Sequence, residues 1–267
     1  MKKINYCWLL VLLLAMGKTA SAQTSEKVLA KAIYKFSHQM DTINLNSIFT
    51  DNMVLMLGKN SSVYKSYNRM ISDSIFKANF KGGQGNNLSA PAKPGGRTEV
   101  YLYSDIKKAL QTDLLVKKYL YEVNYPEISW KIKKDTATIA GLKCQKAVGA
   151  FAGRIYEVWF APELPFKAGP WKLCGLPGLI VKASDQKKQV TFECIGFSTY
   201  TGPEILIQPS KDCLRTTQAG FHKLNEAFLD NPTAFIMSVM PGVKNIQLPT
   251  PYKRRPPANN PIELAQN

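Results

Sequence analysis

Between Thr98 and Phe197 one apolar, aromatic segment follows another, with no helix of about twelve residues between any two of them. TEVYLYS, VKKYLYEVNY, EISWKIKKD, ATIAGLKCQKAV, GRIYEVWFA, GLIVKAS and QVTFECIGF are rich in Tyr, Val, Ile, Phe and Trp, and short runs of turn residues separate them. Parallel neighbours need a crossover of a dozen or more residues, so these segments must pair as an antiparallel meander. DQKK after VKAS reads as a hairpin loop. Upstream, Val28–Met40 alternates and puts Ala32, Tyr34, Phe36, His38 and Met40 on one face of a half-buried strand. NMVLMLGKNSSVYKSY reads as two strands around a Gly-Lys-Asn-Ser turn, and NRMISDSIFKANF as a short helix. Phe221, Leu224 and Phe228 recur at helical spacing in a late segment that Asp230-Asn231-Pro232 stops or bends. The expected fold is α+β and β-rich: an antiparallel meander or half-barrel-like sheet with a C-terminal helix and a flexible tail.

The ends of the chain suggest a compartment. Lys2 and Lys3 precede an apolar core from Cys7 to Met16, and Ala20-Ser21-Ala22 supplies the small residues that a signal peptidase reads. Residues 1–22 are therefore expected to be a signal peptide, cleaved after Ala22, and the mature chain to keep 245 of the 267 residues. The apolar run is well short of the roughly 20 residues a bilayer needs, and no transmembrane segment is expected in the mature chain. Residues 23–244 are expected to form a single β-rich domain, and 245–267 a Pro-rich tail. Lys81–Arg97, rich in Gly, Asn and Pro, reads as a long loop. It leads into a strand rather than a helix, which does not suit a phosphate cradle. The whole chain carries a formal charge of +16, and losing Lys2, Lys3 and Lys18 leaves +13. The lysines are dispersed and no zinc-finger or RNA-recognition spacing appears, so a solvated basic surface is expected and no nucleic-acid partner.

GLPGLI, at Gly175–Ile180, interrupts two apolar runs. Gly175 and Gly178 can take positive φ, Pro177 fixes φ and offers no N–H, and Leu176 and Leu179-Ile180 are apolar. No nucleophile, acid or metal ligand lies within the six residues, so they read as a structural corner feeding a buried strand. Further matches stand around the hexapeptide in order: Trp130, Gly141, Cys144-Gln145-Lys146-Ala147, Gly153-Arg154, Trp159-Phe160, Pro165 and Gly169-Pro170, with SSVYKS before and NPIEL after. On these motifs the chain, from about Tyr34 to Leu264, resembles the GLPGLI family of exported Gram-negative bacterial proteins. The resemblance implies an exported protein of the periplasm. It also implies an accessory role beside outer-membrane receptors energised through TonB, near which genes of the family are often found. It supplies no catalytic residues. Cys174 departs from the expected apolar or aromatic residue before the motif.

Little else in the sequence suggests chemistry. His38 and His222 read as structural histidines, and no Gly-x-Ser-x-Gly or His-Glu-x-x-His pattern occurs. Met53/Met56 and Met237/Met240 read as core residues rather than a soft-metal site, and neither metal nor cofactor is expected. Cys144, Cys174, Cys194 and Cys213 survive signal cleavage, and in an oxidising compartment one or two disulfides are plausible among three pairings. Cys144 beside Lys146 is the candidate for an activated thiolate. Lys131, Lys146 and Arg154, on successive strands near Trp130 and Trp159, are the candidate binding residues. If one face gathers them, they form an aromatic-walled cationic site for an anion. The alternative is pairing with Glu157, Asp135 or Glu163 that merely stabilises the sheet. The expected function is that of a non-catalytic accessory or binding protein, its partners an outer-membrane receptor or another envelope protein. The alternatives are a groove carrying a lipid or peptide ligand, and a thiol-dependent or other hydrolytic enzyme.

Overall fold

The computed structural model describes residues 25–81, 95–240, 242 and 259–264. The expected signal peptide, most of the glycine-rich loop and most of the tail lie outside the described residues.

Two meanders make one sheet. The first runs β2 (Ala30–Gln39), β3 (Ile48–Leu57), β4 (Ser61–Ser66), β5 (Thr98–Tyr103), β6 (Lys108–Leu114) and β7 (Lys118–Val123), with helix α1 (Tyr67–Lys81) between β4 and β5. The second runs β8 (Lys131–Ile139), β9 (Leu142–Phe151), β10 (Arg154–Ala161), β11 (Leu179–Asp185) and β12 (Val190–Thr199). β12 pairs antiparallel with β2, Phe192 opposite Phe36, and so joins the meanders. A short β14 (Leu214–Arg215) adds in parallel to β7, which completes twelve strands. β1 (Glu26–Lys27) and β13 (Leu206–Ile207) form a separate two-stranded ribbon. Helices α2 (Gln218–Asp230) and α3 (Pro232–Val239) follow, capped by the Thr217 and Asn231 side chains, with Pro232 in the first turn of α3.

The sheet must curl. β7 and β8 stand ten positions apart in it, about 48 Å if it were flat. Residues 124–130 alone join them, and seven residues reach less than about 30 Å. The two edges therefore face each other across a lumen, the half-barrel that the meander suggests. Ala32, Tyr34, Met53, Leu55, Tyr64, Tyr156, Val158 and Phe192 line the lumen face of the central strands. On the outer face Val54, Met56, Val63, Tyr101 and Leu110 pack under Ile207 and Tyr200, with Tyr67 and Met70 of α1 against them.

Two differences from the sequence reading have plain causes. ATIAGLKCQKAV is not one strand but the β8–β9 hairpin. Ala140 (φ 51°) and Gly141 (φ 80°) make the two-residue turn, with Ile139 opposite Leu142. Strand β6 went unread because KALQTDL is polar. It buries Thr112 beside Ala109 and Leu110, and side-chain hydrogen bonds replace apolar contact there.

Among the described residues no disulfide forms: Cys144, Cys174, Cys194 and Cys213 are free thiols. The fold keeps them apart. Cys213 packs against the outer face, while Cys174 lies in the lumen against β5–β7. Cys144 and Cys194 share the main core, but their strands β9 and β12 are three positions apart, about 14 Å along the sheet. A disulfide needs Cα atoms within about 7 Å.

The tail also differs at its end. Residues 259–264 return to the body as a strap across β2 and the β9–β10 turn. Asn260 is buried, its backbone N–H donates to Met40 O, and Leu264 N–H donates to Ala152 O.

Candidate functional site

The registers give the lumen two ends. The loop 40–47 and the turns 115–117, 152–153 and 186–189 lie at one end, which the strap crosses. The turns 58–60, 104–107 and 140–141 lie at the other. From this second end the connection 162–178 enters the lumen and fills it, burying Leu173 and Leu176 completely. GLPGLI is the last bend of that plug. Gly175 N–H donates to Lys167 O, Leu179 N–H to Leu164 O and Ile180 N–H to Ala168 O, so the bend is hydrogen-bonded on itself. Tyr34 of β2 donates its hydroxyl to Ile180 O at 2.7 Å, and Trp130 donates its indole N–H to Cys174 O at 2.8 Å. Gly178 stands at φ 157°, and a Cβ there would lie 2.3 Å from Ala161 O. Only glycine lets the plug pass the end of β10.

Where the plug meets the second end there is a cavity of about 580 Å³. Its floor is Leu57, Leu102, Cys174 and Ser62, all buried. Its rim carries Lys59, Lys107 and Lys167, all exposed. None of these three lysines takes part in an ion pair among the described residues. Lys107 Nζ stands 4.9 Å from the centre of the Tyr125 ring, which also lines the cavity. Among the described residues Asp105 is the single carboxylate on the wall, and its Oδ1 accepts from Ile106 N–H. An apolar floor under a rim with cationic excess suits an anionic amphiphile: the floor takes the apolar part and the ammonium groups take the charge. Two hairpin turns supply Lys59 and Lys107 and the plug supplies Lys167, so the fold gathers them from segments that nothing in the linear sequence connects.

The aromatic-walled cationic site expected from Lys131, Lys146, Arg154, Trp130 and Trp159 is not assembled. Alternation puts its members on opposite faces. Lys146 lies opposite Trp159 on the outer face, its Nζ 2.8 Å from Glu157 and 5.8 Å from the Trp159 ring centre. Lys131, exposed on β8, lies opposite Val148. Trp130 packs on Gly149 inside, where a Cβ would come within 2.7 Å of its ring. Arg154 points inward and is buried. Its Nη1 donates to Asp185 Oδ2 at 2.9 Å, its Nη2 to Asn260 Oδ1 and Pro261 O at 2.7 Å, and its Nε to Ile262 O at 3.0 Å. The guanidinium thus holds the strap. Lys172 Nζ (2.7 Å) and the Trp171 indole N–H (2.8 Å) both reach Glu263 Oε1 and hold it again. His38 Nε2–H donates to Asn260 O at 2.7 Å. Burial pushes the His38 pKa below its ordinary value, and the Arg154 charge adds to this against the opposing pull of the Asn260 carbonyl and Asp185.

Cys144 shows no activation. Burial pushes its thiol up, and Glu163 and Cys194 add to this. Cys174 and Cys194 are raised for the same leading reason. Among the described residues no group of three or more His, Cys, Asp or Glu converges on a metal position, and no helix is long and apolar enough to cross a membrane.

No family model matches the chain, and no curated protein matches it. Two solved structures of PNGF-II, in space groups P21 and C2, share its fold with a TM-score of 0.50 at 12% and 13% identity. The match covers 73% of this chain and 32% of PNGF-II, so the chain spans about a third of that protein's length. Identity this low speaks for the arrangement of strands alone.

Proposed function

We propose that this chain is an exported, non-catalytic binding protein of the bacterial envelope, of the GLPGLI type, that takes an anionic amphiphile at the plug end of its half-barrel. The observation that carries the reading is the cavity of about 580 Å³, with its buried, largely apolar floor and three rim lysines that make no ion pair among the described residues. The motif series from Trp130 to Ile180 and the Lys2–Ala22 pattern support export, and residence in the periplasm beside an outer-membrane receptor follows as part of the same reading. The hexapeptide serves this function indirectly. Its bend sets Cys174 and Gly175 as one wall of the cavity and contributes no reacting group. The raised Cys144 thiol lends nothing to a thiol-dependent enzyme.

The test is titration with the fluorescent anionic amphiphile 1-anilinonaphthalene-8-sulfonate. One saturable site is expected, weakening with salt and lost in the triple variant Lys59→Glu, Lys107→Glu, Lys167→Glu at unchanged thermal stability. Binding that the triple variant leaves intact would overturn the reading, as would no saturable binding at all. Processing has its own check: the N-terminus of protein recovered from a periplasmic extract is expected at Gln23.

A further inference from the structure

We propose a second binding site at the strap end of the lumen, for a small aromatic monocarboxylate whose ring enters the lumen and whose charge stays at the mouth. A cavity of about 230 Å³ lies there, and Phe36, Phe49, Phe192, Met53, Trp171 and Ile262 give it an apolar wall. Phe36, Met53 and Phe192 are buried, and the rings hold one another. Phe36 stacks on Phe192 at 4.9 Å between centroids and meets Phe49 edge-on at 6.0 Å. Apolar cavities of about 150 Å³ already bind benzene, so the volume takes one ring with a short substituent.

The charge requirement comes from Arg97. It lines the same cavity, is exposed, and stands just before β5, where its backbone carbonyl accepts from Leu114 N–H. Its guanidinium makes no ion pair among the described residues. Residues 1–24, 82–94, 243–258 and 265–267 contain no Asp or Glu that could supply one. Among the described residues no carboxylate lines the cavity. The acids behind its wall are engaged: Asp51 accepts from Asn68 and Gly96 N–H, Asp113 from the Thr98 and Tyr121 hydroxyls, and Glu263 from Lys172 and Trp171. Arg69, which donates to Gly95 O and Gly96 O, adds positive potential beside the mouth. His38, also on the wall, gives its Nε2–H to Asn260 O, and burial favours its neutral form. A guanidinium at the mouth of an apolar cavity can take a carboxylate through two parallel N–H···O bonds without drawing a charge into the lumen. The plug gives Trp171 to this cavity and Cys174 and Gly175 to the lysine-rimmed one, and neither reading depends on the other.

NMR of the full chain with methyl-labelled methionine compares phenylacetate with phenylacetamide, a neutral probe of the same shape. Phenylacetate is expected to shift the Met40 and Met53 methyl signals, which belong to the cavity wall, and not that of Met56 on the outer face. It should bind about fivefold more tightly than the amide at low salt, the upper end for a solvent-exposed ion pair, and lose that preference as salt rises. Arg97→Gln, at an exposed position, should keep the melting temperature and make the two probes equal. The variant with Lys59, Lys107 and Lys167 changed to Glu should keep the preference, which separates this site from the other cavity. The proposal is overturned if phenylacetate leaves the Met40 and Met53 signals in place, if the amide binds as tightly, or if the preference survives in Arg97→Gln.

Discussion

At the scale of single residues, three positions bear on how the lumen is kept filled. Gly178 has no substitute, because a methyl group meets the Ala161 carbonyl at 2.3 Å. Backbone clash and strained φ together put Gly178→Ala at about 3 kcal/mol of lost stability, measurable by urea denaturation. Arg154 is a different case: its removal strands a buried carboxylate on Asp185 and leaves two strap carbonyls unpaired. Breaking such a pair costs about 3–5 kcal/mol, so Arg154→Ala should be more damaging than the paired change Arg154→Met with Asp185→Leu. His38 fixes a pH dependence. Its pKa is lowered on folding, so the unfolded chain binds the proton first as pH falls below about 6.5. Stability is fully present above that pH and declines as pH falls towards the folded-state value. Denaturant midpoints between pH 7 and 5 should trace this decline, and His38→Gln should flatten it.

At the scale of elements, the strap is the piece whose role was hidden. NPIEL enters the sequence reading only as one late match to a family pattern. Its Asn, carbonyls and Glu carry no periodicity, and what they engage lies about a hundred residues away, Arg154 on β10 and Trp171 and Lys172 in the plug. Arg154 was legible as a residue of interest but not its facing, because the strand register decides which side of β10 looks inward. The strands themselves were legible wherever they alternate. β6 was not, since KALQTDL shows no apolar alternation: Ala109 and Leu110 are adjacent, and the next buried residue, Thr112, is held by a hydrogen bond to Glu99. The lysine-rimmed cavity was illegible for a further reason: two turns and the plug build its rim, and their spacing along the chain does not reveal their meeting in space. Changing Asn260, Ile262 and Glu263 together to Ala tests the strap. Faster hydrogen exchange is expected in β2 and in the β9–β10 turn, with that in β5–β7 unchanged.

At the scale of the whole molecule, a twelve-stranded sheet curled around its own connection still leaves an edge at β8. That strand is exposed along most of its length and carries Lys131, Lys133 and Lys134. Its register also breaks between Ile132 and Thr136. Charge and irregularity of this kind keep an open edge from recruiting a second chain. Replacing the three lysines by Thr should leave the melting temperature within about 0.5 kcal/mol of equivalent stability and yet raise aggregation, seen as growing light scattering at a fixed concentration.

The strap also imposes an order on synthesis. Residues 259–264 leave the ribosome after every strand they bind, yet they satisfy Arg154 and His38, which were made more than a hundred residues earlier. Until they arrive, a folded body presents a buried-type guanidinium to solvent at an unsealed mouth. Products that stop short of the strap are thereby distinguishable from finished ones, and a housekeeping protease that samples loosened ends would clear the unfinished chains first.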